Sequence, residues 1–155
     1  MPFVMRYPGV VKPKSVNKDM VLNIDFAPMF LDFAGRPTPK EMQGRSFRPL
    51  LEGRTPKDWR TAMYYRYWMH MADHGVPAHY GIRTKRYKLV YYYGKPLGSA
   101  GALPQETPPE WEMFDLEKDP HEMNSVYGDP KLAKIQKQLT DEMFRLQKEC
   151  GDVPV

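Results

Sequence analysis

Apolar positions along this chain are spaced helically near both ends and in strand fashion between them. Residues 3–7 form a short apolar run stopped by Pro8-Gly9, which predicts a strand ending in a turn. Further on, Phe26, Met29, Phe30, Phe33 and Ala34 recur at helical spacing and predict one buried helix face. Asp25 is placed to cap that helix, Pro28 falls in its first turn where a missing N–H costs nothing, and Gly35 suits its end. Residues 47–53 predict a single helical turn. From Met63 the period shortens to two: residues 63–68, 79–84, 87–93 and 111–116 are rich in aromatic and β-branched side chains and predict four short antiparallel strands. The second and third are separated only by Lys85-Arg86, a hairpin spacing, whereas residues 94–109, rich in Gly, Pro and Ala, predict a loop. Asp129-Pro130 opens the last element as cap and first helical residue, and Leu132, Ile135, Leu139, Met143 and Leu146 line one side of a long helix.

The pattern predicts an α+β unit in which a small antiparallel four-stranded sheet is packed by the long C-terminal helix. A chain of 155 residues, 41% hydrophobic and 27% charged, fits one ordinary core. No apolar run approaches a membrane span, so no membrane partner is expected, and the opening residues lack the order of a signal peptide, which leaves the compartment unmarked. The net charge of +4 is dispersed among interleaved acids, which argues against nucleic acid. Cys150 is the sole cysteine; no internal disulfide is possible, and its place at a helix end with no histidine near in sequence favours a structural thiol over a nucleophile.

Four histidines are the remaining chemical candidates. His70 and His74 stand four apart, but the strand-like surroundings and the following Gly75 and Pro77 deny them the helix and carboxylate that a two-histidine metal site uses, so a loop is expected. His79 opens a strand in which residues 79, 81 and 83 share a face, so that His79 and Arg83 can converge on an anion; a solvated strand face is the plainer alternative. His121 lies among Asp115, Glu117, Asp119 and Glu122, where no central glycine or regular oxygen spacing suits calcium, and Asp119-Pro120 reads as a turn. No phosphate loop, nucleophile elbow or Cys-x-x-Cys occurs.

Several ordered segments resemble the C-terminal region of the sulfatases, whose fold is alkaline-phosphatase-like. Residues 1–9 resemble the strand and turn after the family's late active-site lysine, residues 23–35 the following helix, and residues 42–51 the loop after it. His79-Tyr80-Gly81-Ile82-Arg83-Thr84-Lys85-Arg86-Tyr87-Lys88-Leu89 and Trp111-Glu112-Met113-Phe114-Asp115-Leu116-Glu117-Lys118-Asp119-Pro120-His121-Glu122 are similar to the C-terminal subdomain of sulfatases acting on sulfated sugars. The resemblance implies that residues 1–60 are the end of an α/β catalytic domain, with its last strand and helix, and residues 61–155 the C-terminal subdomain. It also implies sulfate-ester hydrolysis by a formylglycine beside a calcium ion, both expected in a preceding N-terminal part. Cys150 is followed by Gly151-Asp152-Val153-Pro154 and does not fit the Cys/Ser-x-Pro-x-Arg modification motif, so this chain alone is expected to be inactive, with no catalytic or metal residue of its own. Substrate binding by His79, with Arg83 second, is what the resemblance implies for this segment. Periplasmic, extracellular or lysosomal placement follows from the family alone. An isolated strand at residues 3–7 and an uncovered apolar helix face lead us to expect a missing catalytic domain as partner, and self-association without it. A stand-alone module that binds a glycan or a protein is the alternative.

Overall fold

In a computed structural model, residues 3–155 are described, and they divide into two compact units between Thr61 and Ala62. In the first, a 3-10 turn at Asn23–Asp25 leads into α1, Phe26–Phe33, and a single helical turn, α2, spans Arg48–Leu51. Its core gathers Met29, Phe47, Leu50 and Trp59, with Phe26 and Phe33 packed against them. α1 ends in a Schellman turn: Gly35 N–H donates to Asp32 and Arg36 N–H to Leu31, with Gly35 at φ +65°, a conformation that glycine adopts without strain.

Three expectations for this unit are corrected. Residues 3–7 form no strand; a strand exists only as part of a ladder, and these residues have no backbone partner there. Phe3 instead sets its ring edge against Phe26 and Phe47, and Tyr7 against Phe33. Met1 and Pro2, which open the segment 1–9 that resembles the family's strand and turn, lie outside the described residues. Phe30 does not join the buried face and is 63% exposed, because the helix buries the side centred on Met29 and leaves Phe30 at its margin. Asp25 precedes α1 but does not cap it: its carboxylate is fully buried and accepts from the N–H groups of Leu22 and Arg45, both at 2.8 Å, and from the Arg60 guanidinium.

The second unit is the predicted sheet and helix. Strands β1 (Ala62–Tyr67), β2 (His79–Thr84), β3 (Tyr87–Tyr92) and β4 (Glu110–Asp115) lie in sequence order, each antiparallel to the next. The Lys85-Arg86 turn fixes the β2–β3 register, with His79 opposite Tyr92. Arg86 grips Asp115 through two bonds of 3.0 and 2.8 Å, tying this turn to the end of β4. Helix α3, Ala133–Glu149, follows a 3-10 turn capped by Asp129, whose carboxylate accepts from Lys131 N–H at 2.9 Å. Alternation divides the sheet. Ala62, Tyr80, Ile82, Leu89 and Met113 face α3 and form the core with Leu139 and Met143. The other face carries Tyr65, Tyr67, His79, Gly81, Arg83, Lys88, Tyr92 and Glu112.

Candidate functional site

This second face gathers the chemistry that the sequence suggested. His79 and Tyr67 are directly paired across β1 and β2, as are Gly81 and Tyr65. The imidazole stacks on Tyr67 at 5.3 Å between centroids, meets the edge of Tyr65 at 5.8 Å, and lies 5.1 Å from Tyr92. Gly81 is required beneath this group: a Cβ there would stand 3.0 Å from the Tyr65 hydroxyl and 2.6 Å from the Leu89 carbonyl oxygen. Burial pushes the Tyr65 phenol well above its usual range, and burial together with the Glu112 carboxylate does the same for Tyr92, which donates to Glu112 at 2.8 Å.

His79 Nδ1 is 2.8 Å from the Pro77 carbonyl oxygen. A carbonyl only accepts, so Nδ1 carries the proton and, in the neutral ring, Nε2 presents a lone pair. Burial holds the imidazole below its ordinary pKa, with a smaller push in the same direction from Lys88. The neutral form therefore prevails at pH 7, and what His79 offers is a hydrogen-bond acceptor set among three tyrosines. Arg83 shares the face two residues beyond Gly81, with its guanidinium 3.8 Å from Glu122, which also pairs with Lys88. The two residues therefore share a face but not their immediate surroundings: one is enclosed by rings, the other sits in an exposed charge network.

The other histidines separate by burial. His70 is wholly buried; its Nδ1 accepts from Ala78 N–H at 3.0 Å, and its Nε2, the protonated nitrogen, donates to Gln105 O at 2.7 Å. It joins the β1–β2 loop to the β3–β4 loop, and Leu103 N–H returns a bond of 2.8 Å to the His70 carbonyl. His74 and His121 are exposed. His70→Ala should cost about 2–3 kcal/mol, because it opens a cavity and strands the buried Ala78 N–H. Thermal unfolding measures this, and a loss within a few tenths of a kcal/mol would deny the latch. In the acidic segment, Asp119 accepts from Asn124 N–H at 2.8 Å and Asp115 from Glu117 N–H at 3.3 Å, as turn carboxylates do. Partial burial raises the pKa of the Cys150 thiol, and the charges of Glu149 and Asp152 raise it further, the opposite of an activated nucleophile.

Sequence reasoning missed Tyr67, Tyr92 and Glu112 as neighbours of His79. Tyr92 was within reach, since a two-residue hairpin at Lys85-Arg86 sets position 79 opposite 92. Tyr67 was not, because β1 and β2 are joined by a loop whose length leaves the register open.

Comparison with known proteins bears on the whole chain. The family model described as N-sulphoglucosamine sulphohydrolase, C-terminal, matches residues 1–149. An N-acetylglucosamine-6-O-sulfatase of Bacteroides thetaiotaomicron is 43% identical over 98% of this chain, which covers 25% of that protein. An ulvan-active sulfatase of Formosa agariphila is 30% identical over 99% of the chain and is covered over 34% of its length. Among solved structures, a protein in complex with its substrate D-glucosamine-2-N,6-O-disulfate superposes with a TM-score of 0.83 at 42% identity, over 94% of this chain and 28% of that one. A phosphonate monoester hydrolase from Silicibacter pomeroyi gives 0.71 at 26% identity, over 93% and 28%. The chain thus spans about a quarter to a third of the length of these four relatives. With its four-stranded antiparallel sheet, its C-terminal helix and a family match over nearly its full length, the chain belongs to the C-terminal region family of the sulfatases.

Proposed function

We propose that this chain is the C-terminal portion of a sulfatase that hydrolyses sulfate esters of carbohydrate, and that its contribution is scaffold and one wall of the substrate pocket. Residues 1–60 are assigned to the end of the α/β catalytic domain and residues 61–155 to the C-terminal subdomain. One observation carries the reading: the sheet face turned away from α3 presents His79 as a neutral acceptor within a tyrosine cluster, in a chain matched over 98% of its length by an N-acetylglucosamine-6-O-sulfatase. A ring-lined acceptor suits a sugar, whose C–H face packs on aromatic rings while its hydroxyls donate. We therefore assign His79 to a substrate hydroxyl or N–H group and Arg83, the second candidate, to an anionic substituent.

The calcium ion and formylglycine of sulfatases do not fit this chain. Among the described residues no three His, Cys, Asp or Glu side chains gather as a metal site, and Cys150 sits at the exposed end of α3 outside any modification motif. No catalytic step is therefore assigned to its residues, and both groups are assigned to the preceding part of the protein. None of the described helices is long and apolar enough to cross a membrane. The periplasm, the cell exterior or the lysosome is the compartment this reading implies.

The test measures hydrolysis of an aryl sulfate and of glucosamine 6-sulfate by this chain and by the gene product extended upstream through a Cys/Ser-x-Pro-x-Arg motif, coexpressed with a formylglycine-generating enzyme. Turnover by the extended protein alone is expected; turnover by the short chain, or an inactive extended protein carrying formylglycine, would overturn the reading. In the active protein, His79→Ala should lower kcat/KM on the sugar by about 10- to 100-fold, as for one lost hydrogen bond to substrate, with the aryl sulfate rate and melting temperature nearly unchanged. Protonation abolishes the acceptor, so sugar turnover should fall as pH drops through the depressed His79 pKa, and His79→Gln should remove that acid limb. Unchanged sugar kinetics in His79→Ala would remove the residue from the site.

A further inference from the structure

On the α3 side of the same sheet, at its β4 edge, lies a cavity of about 500 Å³, within the size range of small-ligand pockets. Its floor is aromatic: Trp111 and Tyr127 stack with centroids 5.7 Å apart and planes inclined by only 6°, and Tyr91 backs Trp111 at 4.6 Å. Tyr127 is 39% exposed, so the end of this stack is open to a ligand. The rim is polar, and its hydrogen bonds orient it. Gln136 Oε1 accepts from Gly128 N–H at 3.0 Å, which leaves its amide N–H groups as the donors. Asp129 commits one carboxylate oxygen to its capping bond, and the second remains an acceptor. An aromatic floor beside a paired donor and acceptor suits the C–H face and vicinal hydroxyls of a pyranose. Charge selects further. Lys137 is already neutralised by Asp141 at 2.6 Å, so Asp129 leaves the rim negative and unfavourable to a sulfate or phosphate ester.

We propose that the cavity between Trp111, Tyr127, Asp129 and Gln136 binds an uncharged pyranose unit of a carbohydrate. It does not depend on the assignment of His79, which lies on the opposite face of the sheet. In a glycan with both sulfated and unsulfated residues, this site takes the unsulfated kind.

Amide chemical shifts of this segment, recorded in the complete protein during titration with methyl β-D-glucopyranoside, N,N′-diacetylchitobiose and glucose 6-sulfate, test the proposal. A neutral probe should produce saturable shifts confined to Trp111 and residues 127–141, with glucose 6-sulfate at least about tenfold weaker. Tyr127→Ala and Gln136→Ala should each weaken the neutral probe about tenfold or more while leaving the melting temperature close to that of the parent. His79→Ala should leave the shifts unchanged. No saturable shift with either neutral probe, equal affinity for the sulfated sugar, or undiminished binding in both cavity variants would each overturn it.

Discussion

Asp152→Ala should lower the stability of the sheet-bearing unit by about 3–5 kcal/mol, the range for removing one partner of a buried ion pair. Arg66, on β1, has a side chain only 5% exposed, and Asp152, just beyond α3, is its carboxylate partner. The same carboxylate accepts from the Tyr64 hydroxyl, which in turn accepts from the Gln147 amide at 3.0 Å, while Arg66 also donates to the Val153 carbonyl at 3.1 Å. The guanidinium is roofed by Trp68 at 3.7 Å and Tyr93 at 4.9 Å. Without Asp152 this charge stays in an aromatic enclosure with only the Val153 carbonyl and, at 3.5 Å, the Tyr93 hydroxyl as neutral acceptors. Burial, the largest cause of the raised Tyr64 pKa, persists in the variant and disfavours a phenolate that would replace the lost charge. Urea unfolding followed by circular dichroism measures the loss. Asp152→Asn should fall between the two, and the pair Arg66→Met with Asp152→Leu should be milder than Asp152→Ala alone, because no buried charge is then stranded. A loss under about 1 kcal/mol would show the pair to be screened as surface ion pairs are.

In the other unit, Asp25→Ala is expected to cost a similar amount, about 3–5 kcal/mol. The carboxylate is fully buried and takes both Arg60 guanidinium nitrogens, the Leu22 N–H before the 3-10 turn and the Arg45 N–H far along the chain. It therefore fixes three separate segments around one point. Gly44 shows how close they lie, since a Cβ there would overlap the Ile24 backbone carbonyl at 1.8 Å. Amide hydrogen exchange over residues 20–60 gives the readout: protection should collapse in Asp25→Ala and be partly kept in Asp25→Asn, which retains one acceptor oxygen. Undiminished protection would make Asp25 a local cap and no more.

The sequence named one of these anchors faintly and the other not at all. Asp25 was legible as a helix cap because a cap is a local device, read from the residues that follow it. Its actual partners stand 20 and 35 positions away, and no periodicity reports on them. Asp152 carried no signal at all. The failure at residues 3–7 has the same origin: an apolar run states a capacity to pair, and the ladder that would use it is a property of other segments. His79 was legible as a candidate through strand alternation and family resemblance, and its hairpin partner Tyr92 through the two-residue turn. The proton position that makes it an acceptor depends on the Pro77 carbonyl, and only coordinates supply that.

By itself the sequence determined the four strands, the C-terminal helix with its Asp129-Pro130 start, the short helix after Phe47 and the family. Each is written in short-range pattern, where steric preference, amphipathic period and turn chemistry act over a few residues. Tertiary structure decided which carboxylates are buried, how β1 and β4 are registered across long loops, that His70 is a latch between loops, and which sheet face is left to the tyrosines and His79. Those outcomes rest on contacts between residues far apart in the chain, whose energies depend on burial and geometry that no local window contains.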